Sequence, residues 1–175
     1  MEMMFLAAGF AWSAAGAAFD IWTKRIPNAL SYSGILFGIL LRTIFLGWHG
    51  LGTAIAGGLI GGGVFFLLYL VRAMGGGDVK LMTAVGCFTG PMLIVQIITA
   101  CALAGGVMAI ATMIYRKRTI TTIRNVGELL HFRLVNGPQV HPTLNIDNPE
   151  AVRLPYGIAI AAGALYPLIN GLLVR

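Results

Sequence analysis

The residues of this chain that could do chemistry are few. It carries six carboxylates: Glu2, Asp20, Asp78, Glu128, Asp147 and Glu150. Glu2 is terminal, and the last three fall in one polar stretch. Asp20 and Asp78, 58 positions apart, are left as the acids that stand against long apolar runs. Two carboxyl groups in contact do not both ionise easily, so one holds its proton and the other loses it. The ionised member can activate a water while the protonated one donates to a carbonyl. That is the chemistry of an aspartic hydrolase. The titration belongs to the pair, so spacing leaves open which is base and which is acid. Competing chemistries lack parts. His49, His131 and His141 make no HExxH or other metal spacing, no GxSxG elbow occurs, and Gly75-Gly76-Gly77 lacks the GxxxxGK[ST] order of a phosphate loop. Cys87 and Cys101 form no CxxC or Cys/His set and read as buried small residues. No metal and no cofactor is expected.

The elements that must position these acids follow from composition. Of 175 residues, 58% are hydrophobic and 10% charged, where a soluble chain carries about 25% charged residues. Mean hydropathy is +0.85. Such a chain cannot cover a water-facing surface, and disorder, a coiled coil and a basic nucleic-acid module are excluded. The 24 glycines lie within the apolar runs, where small residues let helices approach closely in lipid. An all-α polytopic membrane protein is expected, as a single membrane-embedded domain over residues 1–175.

Apolar runs at 3–19, 29–46, 51–71, 81–115 and 154–174 are candidates to cross about 30 Å of hydrocarbon. The run 81–115 is too long for one crossing, and Gly90-Pro91 interrupts it. If it crosses twice, ten of the twelve Lys and Arg collect on one side, which the positive-inside rule favours. About six transmembrane helices with both termini outside are therefore expected. The first run has Glu2 before it and Lys24-Arg25 after it, the reverse of a signal peptide, so it reads as a retained span. The pairs Gly34/Gly38, Gly57/Gly61, Gly58/Gly62 and Gly86/Gly90 predict close helix packing. The stretch 116–153 is expected to be a cytoplasmic or interfacial loop, a solvated connector in its bland reading. Ile120, Ile123, Val126, Leu130 and Leu134 are spaced as one face of a helix lying on the membrane surface, and 136–149 reads as loop.

In this arrangement Asp20 ends the first span and Asp78 opens the short fourth, on the same side. An acid inside a bilayer costs about 2.5–3.5 kcal/mol at a helix centre and less near the interface, so it marks function by default. Asp78 could instead cap a helix, because it follows three glycines. Asp20 stands at a helix end, where the dipole disfavours an anion. Its bland role would be an ion pair with Lys24, if the helix reaches that far.

Three segments carry a resemblance to a known family. Asp20-Ile21-Trp22-Thr23-Lys24-Arg25-Ile26-Pro27-Asn28 resembles an Asp-x5-Ile-Pro-Asn signature. Gly75-Gly76-Gly77-Asp78-Val79-Lys80-Leu81 matches GxGDxKL, and Leu154-Pro155-Tyr156-Gly157-Ile158-Ala159 resembles a Pro-Tyr-Gly segment at the start of the last span. In order and in place, these resemble the type IV prepilin peptidases, relatives of the GxGD intramembrane aspartic proteases. The resemblance implies Asp20 and Asp78 as the catalytic pair. Gly75, Gly77, Lys80, Pro27, Asn28, Pro155, Tyr156 and Gly157 would give loop or substrate support. It implies cleavage of the short basic leader of a prepilin, just before its hydrophobic helix, at the cytoplasmic face of a bacterial inner membrane. Partners would be that precursor and the bilayer, with no nucleic acid. Larger members add a CxxC-bearing domain and methylate the new N-terminus. Only nine or so residues separate the first two spans here, so no methyltransferase domain is expected, and the compact form resembles the peptidases of tight-adherence (Flp) pili. The competing classes are a small proton- or cation-coupled carrier and a scaffold subunit of a secretion system. A carrier needs polar groups through the bilayer depth, whereas these acids gather at one face.

Overall fold

A computed structural model describes residues 1–117, 119–137, 139, 141–144 and 154–173. It contains six helices: α1 (Glu2–Thr23), α2 (Asn28–Leu70), α3 (Gly76–Thr89), α4 (Pro91–Tyr115), α5 (Thr119–Asn136) and α6 (Tyr156–Leu173). There is no strand among the described residues. Helices α1, α2, α4 and α6 are long and apolar enough to cross a membrane, and the chain is an all-α polytopic membrane protein.

Helix α2 holds 43 residues. Straight, it would run about 64 Å, roughly twice the hydrocarbon thickness. It folds back instead at Gly47, whose φ of 62° and ψ of −147° lie outside helical space and suit glycine. Arg42 Nε reaches Thr53 Oγ1 at 3.1 Å, where an unbroken helix would separate these residues by about 16 Å. The arms 28–46 and 48–70 are therefore antiparallel, as two separate apolar runs required.

Helix α3 is the central rod. Its 14 residues span only about 21 Å. Leu81, Met82, Ala84, Val85, Cys87 and Phe88 are each 2% exposed or less. Glycines let the neighbours close on it: Gly34 and Gly38 of the first arm meet Ala84 and Cys87, and Gly58 and Gly62 of the second meet Cys87 and Thr83. At the tightest crossing Gly57 faces Gly86, and a methyl group on either would land on the other's carbonyl oxygen. All four expected small-residue pairs thus pack against or within α3. Gly90, with φ 81°, ends α3, and Pro91 begins α4, so the run 81–115 does turn back on itself. Met82, Ile94, Ile97, Cys101, Ile160 and Ala164 form the core with α4 and α6. Both cysteines are buried and free.

One expectation changes. Helix α1 continues to Thr23, where Lys24 takes a left-handed conformation (φ 53°) and donates its N–H to the Asp20 carbonyl. The connection to α2 is therefore residues 24–27, four rather than about nine. Hydrophobicity marks where a span meets polar sequence, whereas the helix runs on through Asp20, Ile21 and Trp22 until Ile26-Pro27 stops it. Lys24 leaves the helix, and no ion pair joins it to Asp20. Of the polar stretch, the first half is helix α5, with Ile120, Ile123, Val126, Leu130 and Leu134 all exposed. His141 folds back onto it, its ring 4.6 Å from that of Phe132. Asp147, Glu150 and Arg153 lie outside the described residues.

Sequence reading missed the part played by Arg42, which stands apart from the basic clusters. Its guanidinium donates to the Phe88 carbonyl at 3.0 Å and to Thr53, and lies 5.0 Å from the Phe5 ring centroid. It therefore caps the C-terminus of α3 and ties together α1, both arms of α2 and α3. The signal was a lone arginine inside an apolar run. Arg42→Met should leave the Phe88 carbonyl without this donor and cost about 1–3 kcal/mol. Thermal unfolding in detergent would show this as a lowered Tm.

Candidate active site

Helices α1 and α3 run antiparallel. Gly9 packs on Phe88 and Thr89, and Gly16 on Leu81, so one turn further along Asp20 arrives level with Asp78. Both line one cavity of about 460 Å³, together with Lys24, Arg25, Ile26, Pro27, Asn28, Gly75 and Gly77. The first two motif segments thus form opposite walls of a single opening at one end of the bundle. A larger cavity, about 550 Å³, lies at the other end, but its only carboxylate is Glu2.

Each carboxyl is held by a glycine N–H. Asp20 Oδ2 accepts from Gly157 at 2.9 Å, across 137 residues of chain. Gly157 lies in the first turn of α6, where backbone donors have no partner within the helix. Asp20 therefore closes the N-terminus of a different helix, an arrangement that local sequence does not show. Asp78 Oδ2 accepts from Gly75 at 3.3 Å, while its own N–H donates to the Gly75 carbonyl at 3.2 Å. Capping is thus part of the role of Asp78, through one long bond to one oxygen. Neither Oδ1 makes a hydrogen bond among the described residues, so each carboxyl keeps an oxygen for a water. The two carboxyls share one opening.

The glycines set the distances. A methyl group on Gly157 would lie 3.0 Å from Ala17 Cα and 3.2 Å from Asp20 Oδ2. One on Gly75 would lie 3.3 Å from Asp78 Oδ2, and one on Gly77 would lie 3.2 Å from Ile26 Cβ. We predict that Gly157→Ala pushes α6 away from α1, lengthens the Asp20 hydrogen bond and costs about 1–3 kcal/mol, as overpacking does. Thermal unfolding in detergent would show this as a lowered Tm. Pro155 precedes α6 and its carbonyl accepts the Ile158 N–H at 3.1 Å. Tyr156 does not line the opening; its ring is 6.1 Å from that of Phe65 and its hydroxyl packs against Gly105. Pro27, in extended conformation (ψ 135°), starts the first arm of α2. Lys80 donates to Asn28 Oδ1 at 2.8 Å and does not line the cavity. Among the described residues no cluster of three or more His, Cys, Asp or Glu forms a metal-binding group.

Comparison with known proteins locates this geometry. The model of the type IV leader peptidase family matches residues 7–110, more than half of the chain and including Asp20 and Asp78. The chain is 31% identical over 111 residues to a prepilin leader peptidase/N-methyltransferase of Escherichia coli (strain K12), a match covering 59% of this chain and 49% of that protein. The chain thus spans about half the length of this curated relative. No solved structure matches.

Proposed function

The chain belongs to the type IV leader peptidase family, and from that premise we propose that it is a membrane aspartic endopeptidase. It removes the short basic leader of prepilins of the tight-adherence (Flp) type at the cytoplasmic face of the bacterial inner membrane. The observation that carries this reading is the single opening that holds Asp20 and Asp78, each with one oxygen anchored and the other available.

The chemistry follows from a shared proton. The ionised carboxyl takes a proton from water as the water oxygen bonds to the scissile carbonyl carbon. The protonated carboxyl gives its proton to the carbonyl oxygen, leaving a diol. In collapse, the carboxyl that gained a proton passes it to the departing amine as the C–N bond breaks. The other takes a proton from a diol hydroxyl, and the pair returns to its starting state. Gly75 and Gly77 leave room for an extended substrate backbone beside Asp78.

Orientation follows from charge. Lys24, Arg25, Arg72, Lys80, Arg116 and Lys117 all follow or begin helices at the end that carries the opening, which the positive-inside rule assigns to the cytoplasm. Helix α5 then lies on that membrane surface with Ile123, Val126 and Leu130 toward lipid. The four-residue connection between α1 and α2 leaves no insertion there, and cleavage without methyl transfer is part of the same reading.

The test is a synthetic precursor with a basic leader followed by an apolar helix. It is incubated with the purified protein in liposomes and read by mass spectrometry. A new N-terminus at the start of the apolar helix is expected. An intact precursor in the presence of folded protein rejects the assignment.

A further inference from the structure

The two acids come from segments far apart along the chain, and at the open end of the bundle a cavity is lined by both segments. Below the acids, α1 and α3 are locked by Gly9 and Gly16 against Phe88 and Leu81. At the mouth, Ile26 rests on Gly77. The next link is a side chain: Lys80 Nζ donates to Asn28 Oδ1 at 2.8 Å and sits 5.0 Å from the centroid of the Tyr32 ring. Lys80 follows Asp78 by two residues, about 200° round the helix, so the two side chains leave α3 in opposite directions. Asp78 faces the opening, whereas Lys80 faces the first arm of α2. Asn28 touches both, since it lines the opening and accepts from Lys80. An ammonium between an amide oxygen and an aromatic face is held by two attractions that a solvated surface lysine lacks.

We infer that Lys80 is a positioning residue for this site: through Asn28 and Tyr32 it fixes the start of α2 against the first turn of α3, and so sets the separation of the two carboxyls. It touches neither the water nor the scissile bond. The inference deepens the reading of Asp20 and Asp78 as the reacting pair and rests on it.

Two measurements test it. In the precursor assay, Lys80→Met should lower kcat about tenfold with KM within about twofold, because geometry and not binding is disturbed. Lys80→Arg restores a donor and should recover kcat to within about threefold of the original. Asn28→Leu should reproduce the loss, and adding it to Lys80→Met should cost nothing more, because both remove one link. Loss as complete as with Asp78→Asn, a rise in KM alone, or additive losses would overturn the inference. The second measurement needs no activity. In an Ile26→Cys/Gly77→Cys protein the two β-carbons lie within disulfide reach. Lys80→Met should slow oxidative cross-linking of this pair several-fold and Lys80→Arg should restore it, while an unchanged rate refutes the brace. If the unaltered protein cleaves no precursor, the reading of the acids fails, and cross-linking still judges the brace.

Discussion

Asp20→Asn and Asp78→Asn should each reduce leader cleavage by about 10³-fold or more, with the protein still folded in the membrane. Asparagine suits this test because it removes little else. Its side-chain oxygen can still accept the Gly157 N–H at position 20, or the Gly75 N–H at position 78. Packing and capping therefore survive. What disappears is proton exchange, worth about 10²–10⁴ in rate for one general acid or base. In the proposed mechanism both members are needed in every turnover. The original protein should show a bell-shaped pH dependence, with limbs that belong to the pair. Neither asparagine variant should regain activity at any pH, because only one titrating group remains. Processing of a precursor by membranes containing each variant, with protein amounts matched by immunoblot, is the measurement. Normal cleavage by either variant would remove the reacting pair from the account and leave a scaffold in its place.

The largest expected effect on stability lies where two backbones touch. Gly57→Val and Gly86→Val should each destabilise the bundle by about 3 kcal/mol, the upper part of the range for overpacked cores. Each new side chain would enter the facing carbonyl, and a backbone cannot turn aside as a flexible side chain can. The protein contains its own controls. Gly52 and Gly63 lie in the same arm of α2 with no neighbouring atom within 4 Å of an added methyl group. Gly52→Ala and Gly63→Ala should be neutral or stabilising by up to about 1 kcal/mol, as helix propensity dictates. Thermal unfolding of the four variants in one detergent separates tight packing from glycine content. Equal losses across all four would show that α3 is not gripped as described.

How much of this was legible beforehand depends on the range of the interaction. Asp20 and Asp78 stood out because an unneutralised acid beside apolar sequence is costly, and that cost can be read one residue at a time. The reversals at Gly47 and Gly90 were legible for a similar reason, since length and charge balance require the chain to turn near these points. The donor to Asp20 was not. A Pro-Tyr-Gly segment marks the start of a helix, but nothing local says that its free N–H groups would be spent on an acid 137 residues earlier. The role of Arg42 was not legible either, because its partners are a backbone carbonyl on α3 and a ring on α1. The end of α1 was misplaced because hydropathy records where lipid stops, and a helix stops where its backbone does.

The Gly157 contact has a bearing on how the molecule is made. A ribosome delivers Asp20 first and Asp78 next, yet the N–H that steadies the first acid emerges only after both. A nascent chain halted after α4 would hold both acids and still lack the Gly157 donor to Asp20. Supplying α6 as a separate peptide to such a shortened chain would return that donor from outside the covalent chain.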